Sequence, residues 1–342
     1  MAAPFACLVL LLLITSAISA PTFAGDAREA SNSTCDRTTT ASLCQPRDRL
    51  FSQNLGPRKF SQYIPSSYDD DASRPVPLMI YVHGQYGNSN MVGRELPFSA
   101  IASQPVISVY PQGVDDHATS DCGTGWNVGP MGHDGDNCNS ASFEDSCCYE
   151  SCYAQGLCGG DGEQASCGWS TCLDDEAFIT GVISKVSEEL CVDSTRIYLA
   201  GGSNGGMMVH YLYSKFPEKF AAVAPIYGLP LKGHIDVPDE LVETSIFHMH
   251  DRSDTVIPEA GGFAGGWEYE SADDVLKQWA ELHGCEEETA KKMTPFDGGE
   301  YNVECVEHKK CKSKKEVVKC LYDGHHGDWP DRGELLLSLL KL

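Results

Sequence analysis

An apolar run, Thr195 to Ala200 (TRIYLA), passes through Gly201-Gly202-Ser203-Asn204-Gly205-Gly206 into a stretch with helical patterning, Gly205 to Phe216. Few local features restrict a chain as much. A strand that becomes a helix within so few residues must turn sharply. A serine with glycines two before and two after it is a pattern that tolerates such a strained turn. The segment reads as one βα unit, and repeated βα units imply a parallel sheet with helices against it.

The rest of the chain repeats that rhythm. Lys59 to Ile64 alternates as a strand does, and Pro77 to His83 (PLMIYVH) and Pro105 to Tyr110 (PVISVY) read as buried strands. Phe220 to Ile226, Ser245 to His250 and Val317 to Tyr322 are further short runs rich in β-branched and aromatic residues. Asp174 to Glu189, Ala272 to His283 and Asp331 to Lys341 carry helical patterning. Strands alternating with helices of this length predict an α/β fold, with a doubly wound, mostly parallel sheet covered on both faces. One segment breaks the pattern. Residues 112 to 172 are rich in Gly, Asp, Ser and Cys and are expected to form a disulfide-stapled insertion.

The N-terminus and the cysteines speak to compartment. Phe5 to Ile14 is an apolar run of ten residues followed by TSAISA. As a helix it would rise about 15 Å, half a bilayer core, so it reads as a signal peptide within residues 1–24, with Ala17, Ala20 and Ala24 as alternative cleavage positions. Residues 25–57 are a polar leader with Cys35, Cys44 and a sequon at Asn32, a candidate glycosylation site. Of sixteen cysteines, fifteen lie beyond the signal segment and eight of these fall within 112–172. That count fits an oxidising compartment, hence secretion, and disulfides rather than paired zinc knuckles. The odd total leaves at least one cysteine free or paired between chains.

Charge removes some partners. With 25 basic and 49 acidic residues, the net charge of −24 disfavours nucleic acid and anionic lipid surfaces. It suits a soluble protein acting on neutral material. The lysines at 309, 310, 312, 314 and 315 read as a solvated loop among acidic surroundings.

A serine nucleophile needs a base, and the base needs an orienting acid. In this architecture the chain order runs serine, acid, histidine. Downstream of Ser203 the strand SIFHMH leads to Asp251 and Asp254, both candidates for the acid. After Val317 to Tyr322 come Asp323-Gly324-His325-His326-Gly327-Asp328-Trp329-Pro330, where either histidine could be the base. Upstream, His83-Gly84-Gln85 ends a strand in a turn whose next amide can form half of an oxyanion hole. That assigns the backbone N–H groups of Gln85 and Asn204. Trp126 and Trp329 are candidate aromatic walls for a ring-bearing substrate, with His83 beside them. His248-x-His250 lacks the spacing of a dinuclear hydrolase, so neither a metal nor another cofactor is expected.

Four segments together, YVHG, GGSNGGMM with FAAVAPIYG, HMHDRSDTVIP and DGHHGDWP, resemble the secreted polyhydroxybutyrate depolymerase and feruloyl esterase group. That group belongs to the first carbohydrate-esterase family of α/β-hydrolases, and the resemblance runs from about Arg58 to Pro330. It implies an α/β-hydrolase catalytic domain over 58–342. It also implies Ser203 as nucleophile, and through an H-G-x-x-D-x-x-V-P element (here His250 to Pro258) Asp254 as acid. The closing motif resembles G-G-H-x-W-P with one extra residue before Trp329, which favours His326 as base. The acidic pair Asp174-Asp175 resembles the group's D-D-x-x-F helix start and reads as an N-terminal cap. The implied activity is hydrolysis of feruloyl or acetyl esters of plant polysaccharide, or of an aliphatic polyester. The rival expectation is a catalytically silent hydrolase fold that binds polysaccharide.

Overall fold

Val76–Val82, Ile107–Pro111, Ala222–Ile226 and Ser245–Asp251 are buried along their whole length. Apolar runs of this kind, with no polar side left for water, belong in the middle of a sheet covered on both faces. The computed structural model puts them there. It describes residues 45–71, 74–115, 123–128, 149–154, 170–233, 243–265, 267–291, 302–328 and 333–342. The signal segment, Asn32, Trp329 and most of the insertion at 112–172 lie outside the described residues.

The strands in chain order are β1 (Leu50–Leu55), β2 (Arg58–Tyr63), β3 (Val76–Val82), β4 (Ile107–Pro111), β5 (Val114–Asp115), β6 (Thr124–Gly125), β7 (Val192–Gly202), β8 (Ala222–Ile226), β9 (Ser245–Asp251), β10 (Gly262–Ala264), β11 (Trp267–Tyr269), β12 (Glu287–Lys291), β13 (Glu304–Lys309) and β14 (Val317–Tyr322). The helices are α1 (Ser89–Glu95), α2 (Phe98–Ile101), α3 (Glu150–Tyr153), α4 (Asp175–Glu189), α5 (Asn204–Lys215), α6 (Ala272–Leu282) and α7 (Glu334–Leu340). Ten strands form one sheet in the order β1-β2-β4-β3-β7-β8-β9-β14-β13-β12. The six central strands, β4 to β14 in that order, run parallel, and the pairs at both edges are antiparallel.

Alternation along β3 shows how the layers fill. Leu78, Ile80 and Val82 join a core with Val182, Met208, Leu212 and Trp279 from α4, α5 and α6. Met79 and Tyr81 face the other core, with Phe98 of α2 and Leu335, Leu336 and Leu340 of α7. The expected doubly wound α/β arrangement is therefore present. No helix among the described residues is long and apolar enough to cross a membrane.

Three elements depart from the sequence expectation. Leu50–Leu55, placed in the polar leader, is β1 and pairs with β2 along its whole length, so the domain begins before Arg58. The lysine-rich region is only partly loop, because Lys309 ends β13. β13 and then β12 extend the far edge of the sheet, with β12 outermost. Among the described residues, disulfides join Cys152 to Cys172, Cys285 to Cys311 and Cys305 to Cys320, and Cys191 is also disulfide-bonded.

Asp174 caps α4 as expected, accepting from the Ala177 amide at 2.9 Å. Its neighbour Asp175 is fully buried instead, held by Arg58 at 2.7 Å, by the Asn127 amide and by the Thr171 hydroxyl. This ties the start of α4 to the loops beside β3.

Candidate active site

Parallel strands end at the same edge of the sheet, and that edge carries the site. Val82 lies opposite Gly201, Gly202 opposite Ile226, Ile226 opposite Met249, and Asp251 opposite Tyr322. The loops after β3, β7, β8, β9 and β14 consequently open side by side. They begin with His83, Ser203, Tyr227, Arg252 and Asp323. The chain leaves β3 toward β4 and returns on the other side as β7, so the strand order reverses between the loops that bear Gln85 and Ser203. Such a reversal leaves a crevice at the carboxyl ends of the strands.

Ser203 sits at φ 56°, ψ −126°, a conformation that costs an L-residue strain. The flanking glycines permit it by allowing close approach. A Cβ at Gly205 would fall 2.1 Å from the carbonyl oxygen of Val82, and one at Gly201 would fall 2.8 Å from the same atom. Ser203 is the N-cap of α5, yet its hydroxyl makes no capping bond there. The turn aims it away from the helix, toward His326.

Ser203 Oγ lies 2.8 Å from His326 Nε2, and His326 Nδ1 lies 2.7 Å from Asp254 Oδ2. Asp254 is fixed from behind, its Oδ1 accepting from the amides of Val256 (2.8 Å) and Ile257 (2.9 Å). Burial works to raise its pKa. Hydrogen bonds from His250 and His326, the His326 charge and the Ile257 amide outweigh burial and hold the carboxyl well below the usual carboxylate range. Asp251 does not take this role: its Oδ1 accepts from the Ser253 amide, and its pKa is raised by burial and by the Asp254 charge. His325 is exposed, and its amide donates to Asp328. Of the alternatives left open by the sequence, the structure brings together Ser203, Asp254 and His326. A line of this kind can withdraw the serine proton as the oxygen attacks and return it to a leaving group.

The turn bearing Gln85 closes over the serine. A Cβ on Gly84 would be 3.1 Å from Ser203 Cβ. Asn204 is the first residue of α5, where helix geometry supplies no intrahelical acceptor to the amide. Its side chain points elsewhere, accepting from the Trp126 amide at 2.9 Å.

His83 and Trp126 do not reach the pocket. Trp126 is fully buried, its Nε1 donates to the His83 carbonyl at 2.8 Å, and its ring lies 4.9 Å from the His83 ring. His83 Nε2 accepts from the Gly113 amide at 2.9 Å, leaving Nδ1 to donate to the Gly84 carbonyl at 2.7 Å. Burial pushes the His83 pKa down to about 4, so the ring is neutral near pH 7. Both residues hold the Gln85 turn from beneath rather than lining a substrate wall. The packing logic that buries a strand-end histidine and a tryptophan outweighs the sequence impression of an aromatic wall.

A cavity of about 740 Å³ opens over Ser203 and His326. Its walls are Tyr81, Tyr86, Met91, Val92, Leu96, Tyr227 and Val256, with Arg94 and Glu95 from the end of α1. Tyr86, Met91 and Val256 are three of the five large hydrophobic residues that are exposed among those described. Tyr227 also meets the His326 ring edge-on at 5.2 Å. The sequence reading missed these residues. Tyr227 could have been found from its place directly after a buried parallel strand, and Tyr86 from the oxyanion turn.

The profile of the prolyl oligopeptidase family matches residues 173–230, the segment holding α4, β7, Ser203, α5 and β8. Feruloyl esterase B of Piromyces equi is 24% identical over 283 residues, covering 78% of this chain and 42% of that protein. Feruloyl esterase D of Neurospora crassa is 27% identical over 153 residues, covering 45% of this chain and 47% of its own length. The chain therefore spans less than half of either curated relative. Among solved structures, acetyl xylan esterase from Aspergillus awamori superposes with a TM-score of 0.53 at 14% identity, over 86% of this chain and 99% of that one. This likeness shows the α/β-hydrolase fold.

Proposed function

We propose that this chain is a secreted serine esterase that cleaves feruloyl or acetyl esters of plant cell-wall polysaccharide through an acyl-enzyme. The observation that carries the reading is the hydrogen-bonded line from Ser203 through His326 to Asp254 at the floor of an open, largely apolar cavity. Ser203 attacks the ester carbonyl while His326 takes its proton and passes it to the leaving alcohol. Asp254 holds the imidazole with Nδ1 as donor and balances the charge that develops on the ring. The amides of Gln85 and Asn204 receive the oxyanion. Water, activated by the same histidine, then releases the acid.

Similarity to feruloyl esterases B and D supports the substrate class. The exposed aromatic and aliphatic side chains around the serine, Tyr86 above all, suit a hydroxycinnamoyl ring more than a charged group. The disulfides support an oxidising compartment and so secretion.

The test is the initial rate of methyl ferulate and acetyl-xylan hydrolysis by the purified protein beside Ser203→Ala. Loss of the serine should cost on the order of a millionfold in turnover. Activity that survives in Ser203→Ala removes Ser203 as nucleophile. Silence of the parent on both substrates moves the assay to hydroxybutyrate oligomers, and silence there too refutes the esterase reading.

A further inference from the structure

Three histidines in the core have no part in the chemistry above. His210, His248 and His250 are fully buried. His248 and His250 stand two apart on β9 and so project from the same face of the sheet, the face covered by α5. The His210 ring of α5 lies 5.6 Å from the His248 ring, and the His248 ring lies 5.2 Å from the His250 ring. Met249, between them, faces the opposite core. The row ends at the triad acid, because His250 Nε2 is 3.3 Å from Asp254 Oδ2, the same oxygen that accepts from His326.

Counting protons fixes the tautomers. His250 Nε2 also lies 2.8 Å from the Ile257 carbonyl oxygen, so it faces two acceptors and must carry the proton. A neutral imidazole carries only one, which leaves His250 Nδ1 as an acceptor. That atom sits 3.1 Å from His248 Nε2, which must therefore be the donor. His248 Nδ1 is then a bare lone pair, and it lies buried with no hydrogen-bond partner. A second proton on His250 would drive the His248 proton from Nε2 to Nδ1, where a buried N–H has no acceptor.

We infer that His250 is a positioning residue for the Asp254 carboxylate, and that His248 locks the tautomer in which His250 does so. The inference deepens the serine-esterase reading of this site and rests on it for its kinetic arm. Other titratable and charged groups facing the pair are His210 from α5, Asp251 and Asp254 at the end of β9 and beyond, and Lys319 from β14. Lys319 is itself held by Glu259 and Asp273. Asp254 thus receives a second N–H bond, from His250 Nε2, beside the one from His326.

The first test reads the rings directly. Two-bond nitrogen–proton correlation spectra of histidine-labelled protein at pH 7 should report Nε2–H tautomers for both His248 and His250. An Nδ1–H tautomer or an imidazolium on His250 overturns the inference. His248→Phe, which removes only the lock, should return a mixture of His250 tautomers, and an unchanged His250 signal would overturn the locking role.

The kinetic arm compares His250→Phe with His250→Gln, whose amide can still donate to Asp254. Loss of a hydrogen bond to a charged group should lower kcat about tenfold to a hundredfold with KM held within about twofold. The acidic limb of kcat/KM should move to higher pH, because Asp254 then stabilises the His326 imidazolium more strongly. His250→Gln should recover most of the rate. A folded His250→Phe with unchanged kcat and an unmoved acidic limb refutes the positioning role. If His250→Phe does not fold, His250→Gln and the nitrogen spectra carry the decision. An ester-inactive parent would refute the esterase reading alone, while the spectra would still decide the tautomers.

Discussion

Lowering the pH from 7 to 5 should strip this fold of a large part of its stability, and the buried histidines set how much. Burial is the leading cause of a depressed pKa at His83 and His283, each pushed down to about 4, and at His210, pushed down to about 3. An unfolded histidine titrates near 6.5. Between these values the unfolded chain binds protons that the folded chain refuses, so stability rises with pH across the window. It is fully present above about 6.5 and is lost as pH falls toward 4. Each such ring costs about 1.8 kcal/mol between pH 7 and pH 5, so the three together cost about 5 kcal/mol. Typical domains have about 5–15 kcal/mol in total. Asp254 does not contribute in this window, because its lowered pKa costs stability only as a carboxylate titrates, below about pH 4. Asp175 and Asp251, raised by burial, oppose the loss. A difference between variants cancels them. His210 is the cleanest site, since neither ring nitrogen has a partner. Urea unfolding of the oxidised protein at pH 7, 6 and 5, beside His210→Phe, should show the variant losing about 1.8 kcal/mol less than the parent over that range. Parallel curves for the two proteins, or a parent that loses under about 1 kcal/mol, would refute the reasoning.

Gly205→Ala should abolish accumulation of folded protein or destabilise it by more than about 3 kcal/mol, because its Cβ would sit 2.1 Å from the Val82 carbonyl oxygen, a backbone atom in the central strand. Expression and thermal unfolding measure this, and a folded, fully stable variant would contradict the packing. Asp254→Asn should leave the fold intact and lower kcat by roughly ten-thousandfold, through loss of the tautomer that points Nε2 at Ser203. Steady-state kinetics at neutral pH check it. Tyr86→Ala should raise KM for methyl ferulate about tenfold and leave an acetyl ester almost unaffected, since an exposed ring lines the cavity. Equal effects on both esters would assign Tyr86 to the turn rather than to the substrate.

Much of this architecture was legible because its signals were local. TRIYLA followed by GGSNGG and a helix specifies one βα unit from a few adjacent residues, and the order of serine, acid and histidine follows from where strands end. The seven expected strands all appear, with ends shifted by a few residues. What escaped was non-local. β1 carries three consecutive polar residues, Ser52 to Asn54, and is a strand because β2 pairs with it, a fact absent from LFSQNL itself. β12 is the edge strand and β13 lies between it and β14, and their sequences EETAK and ECVEHK resemble solvated loop. Trp126 reads from the sequence as an aromatic wall for a ring-bearing substrate, with His83 beside it. Whether such a ring faces a cavity or a core depends on contacts with Asn204 and Gly113, distant in sequence. Asp254 was separable from Asp251 only by resemblance, and the geometry that separates them comes from loop direction.

The bridge between Cys305 and Cys320 joins residues that lie directly opposite in the ladder of β13 and β14. Four residues beyond the end of β14 hangs His326. A strand can slip against its neighbour only by whole residues, each about 3.3 Å, which exceeds the 2.8 Å that separates His326 from Ser203. The cystine acts like a pin through a ruler: it locks β13 to β14, while the ladder of β14 with β9 carries the histidine toward the serine. Oxidation of these two sulfurs thus fixes the register of β13 on β14 two residues before the end of the strand from which His326 extends.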